Sequence, residues 1–205
     1  SGVILLSFAT GIYFYPQVPE KMASHWNARG EVNGYLSKFW GLFLIPFVSS
    51  ALFLFFLLIP KIDPLGENIE EFREYYDGFI VLFVLFLSYI HILTLLWNLG
   101  YRFDMGQAII PSLGFLFFYL GILMENAQRN WFIGIRTPWT LSSEDVWDKT
   151  HKLGGKLFKV AGVIAVLGIF FKDYALLFLL APILGFTIYL VIYSYFEYQK
   201  LARSH

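Results

Sequence analysis

Phe39-Trp-Gly-Leu-Phe-Leu-Ile-Pro-Phe-Val-Ser-Ser-Ala-Leu-Phe-Leu-Phe-Phe-Leu-Leu-Ile59 runs for twenty-one residues without a charge. That is about the length an α-helix needs to cross the roughly 30 Å hydrocarbon core of a bilayer. Comparable runs lie at Phe79–Trp97, Ala108–Met124, Leu157–Phe171 and Tyr174–Phe196, of which Leu157–Phe171 is short at fifteen residues. Val3–Tyr15 is a sixth, too short to span comfortably, and it reads as a broken helix or as part of a longer one. It lacks a basic leader and a small-residue cleavage site, so it is a membrane helix and not a signal peptide. Hydrocarbon leaves backbone polar groups no partner but each other, and the expected fold is therefore an all-α polytopic transmembrane bundle of about six spans.

Composition agrees. Of 205 residues, 58% are hydrophobic and 20% aromatic, with mean hydropathy +0.61, above the range of soluble domains. The chain has no cysteine, which removes disulfides and thiolate chemistry. No basic tract is long enough for nucleic acid, so membrane lipid and protein partners remain. Net charge is zero, but the loops after spans two and four and the C-terminal tail hold ten cations: Lys61, Arg73, Arg129, Arg136, Lys149, Lys152, Lys156, Lys159, Lys200 and Arg203. The other loops hold five: Lys21, Arg29, Lys38, Arg102 and Lys172. Positive residues favour the cytoplasm, which predicts a multi-pass cell-membrane protein with both termini cytoplasmic and the Glu20–Lys38 loop outside. The chain divides into 1–59 (two spans and an outer loop), 60–126 (two central spans) and 127–205 (the charged fourth loop and last two spans).

The fourth loop, Asn130–Gly155, combines charge, tryptophan and capping residues. Pro138 pushes Thr137 out of the helical region, and Gly134 loosens the backbone. Ser142 suits a helix N-cap with Asp145 at N3, and Gly154-Gly155 suits the end, which predicts a short helix lying in the membrane interface. Val146, Trp147, Thr150 and Leu153 fall on one side of it, and Asp145, Asp148, Lys149 and Lys152 on much of the rest. Arg136 sits among apolar and small residues and needs a partner: Glu144, Asp145, Glu125 or a lipid phosphate. A connector whose tryptophans anchor it at the interface is the plainer alternative.

In the third span Ser88, His91, Thr94 and Asn98 fall within roughly a 120° arc at 100° per residue. Such a stripe is a candidate ligand site or ion path, and more often serves interhelical hydrogen bonding. In the first loop, Gly30 and Gly34 permit turns at positive φ, so the loop can fold back as a lid. His25 and Asn27 lie on one side of an extended segment, placed to contact an external ligand or to hydrogen-bond a folded loop. His91 could meet His25 or Glu20 beneath it, but among His25, His91, His151 and His205 three convincing metal ligands cannot be named. No metal or cofactor is therefore expected.

Gly134-Ile135-Arg136-Thr137-Pro138-Trp139-Thr140, followed by Ser142, Glu144, Trp147, Thr150, His151 and Gly154, resembles the motif of the SdpI family of membrane proteins. Pro19, His25, Asn27, Gly30, Gly34 and Lys38 resemble the N-terminal module found with that family, which has an aspartate where this chain has Asn33. The resemblance implies a membrane immunity protein and signal receptor for a secreted, membrane-active peptide toxin, which captures a cytoplasmic transcriptional repressor. Under this reading His25, Asn27 and Lys38 of the outer loop, together with Ser88, His91, Thr94 and Asn98 of the stripe read from helical spacing, are the ligand-contact candidates. Gly134, Arg136, Thr137, Pro138, Trp139, Thr140, Glu144, Trp147 and His151 become a signalling loop, in which Trp139 and Trp147 would set its depth. The alternative function is an ion or small-molecule transporter using the third-span stripe. No nucleotide loop, nucleophile elbow or zinc-protease helix is present, so catalysis is not expected.

Overall fold

The computed structural model describes residues 1–27, 29–171 and 174–203. Lys172 and His205, both weighed above, lie outside the described residues. Eight α-helices are described: α1 (Gly2–Phe14), α2 (Lys38–Ile62), α3 (Gly66–Glu71), α4 (Arg73–Asn98), α5 (Met105–Asn126), α6 (Pro138–Ser142), α7 (Glu144–Leu167) and α8 (Ala175–Arg203). Five of them, α2, α4, α5, α7 and α8, are long and apolar enough to cross a bilayer. With α1 they form the expected all-α membrane bundle.

The first loop is the exception to helix. β1 (Lys21–Trp26) and β2 (Val32–Ser37) form an antiparallel hairpin that packs on α2 and α4. Gly30 takes φ 76° at its tip, the left-handed turn that the sequence suggests. Gly34 does not turn. It pairs with His25, and a Cβ there would sit 2.9 Å from the His25 Cβ, so its glycine serves close strand approach.

The short interfacial helix ending at Gly154-Gly155 is not formed. α7 starts after Ser143, whose hydroxyl accepts from the Val146 amide, and runs unbroken through both glycines into the fifth span. The N-cap is thus Ser143 and not Ser142, which closes the separate turn α6. The physical reason is packing: a Cβ on Gly155 would lie 2.6 Å from the Gly121 carbonyl oxygen, and one on Gly154 2.5 Å from the Met124 methyl. Gly114 and Gly162 meet in the same way further along. In lipid, where burial supplies no hydrophobic drive, such backbone proximity is what holds helices together, and α5 against α7 is the most extensive contact of the fold.

α1, α2, α4 and the hairpin pack on one another, α8 packs on α5, α6 and α7, and α4 against α5 joins the two groups. One apolar cluster, including Ile59, Ile69, Phe72, Tyr76 and Leu123, lies at the Asn130–Ser143 end, hereafter the loop end. Another, of Val18, Met22, Leu42, Phe43 and Leu95, lies under the hairpin.

Candidate functional site

The loop end is built around a buried ring pair. Trp147 and His151, one turn apart on α7, stack with centroids 3.8 Å apart, each 1% exposed. The Trp147 indole donates to the Ala127 carbonyl (2.7 Å), so this residue is core and not an interfacial anchor. The Ile135 amide donates to His151 Nε2 (2.9 Å), which fixes that nitrogen as an acceptor and leaves Nδ1 to donate to the Trp147 carbonyl (2.8 Å). Gly134, at φ 100°, is pressed against the same ring: a Cβ there would lie 2.2 Å from Nε2.

Thr137 is extended before Pro138, as expected, and forms a reciprocal capping box with Thr140 over α6. The Thr140 hydroxyl also donates to the Ile135 carbonyl (2.7 Å), and Thr137 Oγ1 meets Ser194 Oγ of α8 at 3.2 Å. Trp139 packs edge-on against Tyr195, 5.2 Å between centroids. The expected helix faces hold: Val146, Trp147 and Thr150 are buried, while Asp145, Asp148, Lys149 and Lys152 are exposed.

Arg136 does not find a carboxylate. It is exposed and donates to the Trp131 carbonyl (2.9 Å). Its proposed partners are engaged elsewhere: Glu144 with Arg129 (3.3 Å), Asp145 with Lys149 (2.7 Å) and Glu125 with Lys159 (2.7 Å). Asn126 bonds back to the Ile122 carbonyl. Three residues that sequence reasoning passed over hold the loop down. Asn130, fully buried, accepts from the Phe132 and Ile133 amides; Asp63 accepts from the Trp131 amide; and Asn68 donates to the Arg129 carbonyl. An asparagine ahead of a loop is an Asx-turn signal and points to Asn130; nothing local marks Asp63 or Asn68.

The α4 stripe faces α1. Ser7 donates to Ser88 (3.3 Å) and Thr10 meets His91 Nε2 (3.4 Å), with His91 1% exposed. This is the interhelical hydrogen-bonding outcome. His91 is not joined to His25 or Glu20: His25 Nδ1 contacts Asn33 Oδ1 (2.5 Å), and Glu20 pairs with Lys38 (2.7 Å), whose ammonium also lies over the Tyr15 ring. Asn98 ends the stripe as a clamp. Its carboxamide accepts from the Ala23 amide (2.8 Å) and donates to the Ala23 carbonyl (2.9 Å), acting as a strand partner to the edge of β1. Asn27 organises the hairpin turn by accepting from the Arg29 and Glu31 amides. No group of three or more His, Asp or Glu that could hold a metal ion occurs among the described residues.

Beside the clamp opens a cleft of about 720 Å³, walled by β1, the first turns of α2, α5 and α8, and α4 around Thr94. His25, Asn27 and Thr94 of the predicted ligand set line it; Lys38, Ser88, His91 and Asn98 do not. Its size falls within the usual range of about 300–1,000 Å³ for ligand sites, and it is mostly apolar with a few polar groups, as such sites are. A smaller pocket of about 250 Å³ lies at the loop end among Glu71, Glu125, Asp148, His151 and Lys152.

Residues 2–49 match a domain of unknown function (DUF1648), and residues 126–194 match the SdpI/YfhL protein family. The first segment supplies the hairpin and α2 walls of the cleft, the second its α8 wall. No solved structure matches the chain. Over 203 residues, 98% of this chain and 95% of the relative, the sequence is 31% identical to the immunity protein SdpI of Bacillus subtilis (strain 168). This multi-pass membrane protein therefore belongs to the SdpI/YfhL family.

Proposed function

We propose that this chain is a membrane immunity protein and receptor for a membrane-active peptide toxin, which docks in the cleft at the hairpin end. The cleft is the observation that carries the reading: it has the size of a ligand site, and both family-matched segments wall it. The extensive similarity to an immunity protein supports the same reading. In this proposal the hairpin faces outward and the loop end and both termini face the cytoplasm, in keeping with the distribution of positive residues.

The exposed charges at the loop end, Arg136, Glu144, Asp148 and Lys152, then form the face available to a cytoplasmic partner such as a repressor. A transport path along the α4 stripe draws no support from its packing, because Ser88 and His91 are buried against α1. The test is growth of a toxin-sensitive bacterium expressing this chain during challenge with an SDP-like peptide. Growth where an empty-vector strain dies supports the proposal; death despite verified membrane insertion overturns it.

A further inference from the structure

The cleft has two kinds of wall. Trp40 and Leu44 of α2 and Leu176, Leu177 and Leu180 of α8 line it and are 39–58% exposed, so its apolar side is continuous with the surface of two bilayer-crossing helices. At 1.5 Å per residue, Ile45 and Leu113 place its floor roughly 10 Å down α2 and α5, in the outer third of a hydrocarbon core of about 30 Å. The opposite side is polar, with Ser24, His25, Asn27, Asp104 and Gln107. A space open sideways to lipid and capped by polar groups suits an amphipathic occupant lying in the membrane, not a water-soluble one.

Two further observations narrow the chemistry. Among the described residues the Trp26 indole nitrogen and the Gln107 carboxamide nitrogen are buried without a hydrogen-bond partner, and both side chains line the cleft. Both atoms are donors only, so the missing groups are acceptors. Among the described residues the cleft has no lysine or arginine, and it has one carboxylate, Asp104. Neutral backbone carbonyls match the two neutral donors.

Resting on the receptor reading, we infer that the occupant is an amphipathic peptide segment that enters sideways from the bilayer. It seats apolar side chains against Trp40, Leu44, Leu177 and Leu180 and presents backbone carbonyls to Trp26 and Gln107. Repositioning of the two donors toward its carbonyls accompanies binding.

The experiment uses the full chain in lipid nanodiscs with a labelled SDP-like peptide and a photo-crosslinking phenylalanine analogue at Leu177 or at Ile188. Ile188 is exposed on the same face of α8 and outside the cleft, roughly 16 Å further along. The expected result is peptide crosslinked at Leu177 and not at Ile188. Equal crosslinking at both positions, or lipid alone captured at Leu177 while the peptide still binds, overturns the inference and leaves the receptor reading standing. No peptide binding and no protection removes both. Gln107→Met supplies the second arm: peptide affinity falls roughly five- to tenfold while the melting temperature holds, since the amide donor has no partner to lose. A lower melting temperature with affinity intact contradicts the assignment.

Discussion

At the loop end, motif residues close on one another, whereas at the hairpin end two of them, His25 and Asn27, line a space. Ile135, Thr137, Thr140, Trp147 and His151 share a network of donors and acceptors with matched partners, although Thr150 Oγ1 and Arg129 Nε at this end are buried without one among the described residues. Across the molecule, a cleft of about 720 Å³ is walled by residues two of which carry unpartnered donors. The segment richest in functional-group chemistry uses most of it to fix its own conformation. Matched polar groups make a rigid, single-state element, and unmatched ones beside a cavity leave free energy available to an occupant. The end proposed to receive the ligand is the one whose sequence advertises it less.

The contrast is sharpest at two glycines with positive φ. Gly134→Ala must push a methyl into the His151 ring as well as adopt a left-handed backbone, and it should cost more than about 3 kcal/mol, leaving little folded protein in a detergent melt. Gly30→Ala meets nothing nearer than the Asp104 carboxylate at 3.4 Å, so backbone strain alone should lower stability by about 1 kcal/mol. Equal losses would erase the distinction between the ends.

The two histidines repeat the comparison at smaller scale. His151→Leu strands the half-buried Ile135 amide, with an expected loss of about 1–3 kcal/mol by thermal melting. His25→Leu removes one bond of an exposed side chain and should stay within about 0.5 kcal/mol, its effect appearing instead in ligand affinity. Asn98→Leu should act locally: faster hydrogen exchange at the Ala23 amide, with α5 and α7 protected as before. Arg136→Ala, exposed and bonded only to a carbonyl, is the mildest change, about 0.5 kcal/mol or less, and a large drop in melting temperature would show that the loop end depends on it.

Legibility in the sequence followed the same division. The five long spans were readable because an uncharged run of bilayer length has few alternatives, and Thr137–Pro138 because the proline constraint is local. Gly154-Gly155 has the signature of a helix end and so predicts a short interfacial helix, while the close approach to Gly121 and Met124 that demands glycine is a tertiary fact. The apolar neighbours of Arg136 call for a partner, a carboxylate or a lipid phosphate, but of the carboxylates Glu144, Asp145 and Glu125 are taken by Arg129, Lys149 and Lys159. Motif and stripe single out His25, Asn27 and Thr94 separately and the fold brings them to one cleft, yet its α5 and α8 walls carry no sequence mark. They are ordinary leucines, isoleucines and a glutamine whose role comes from position.

The most direct measurement is survival under an SDP-like peptide at matched membrane abundance for the parent chain, Arg136→Ala and Leu180→Trp, which fills the cleft from its lipid side. Growth of the parent and Arg136→Ala with death of a normally melting Leu180→Trp is the predicted result. Full protection by Leu180→Trp, with protection lost in Arg136→Ala, would place the decisive site at the loop end and contradict the account.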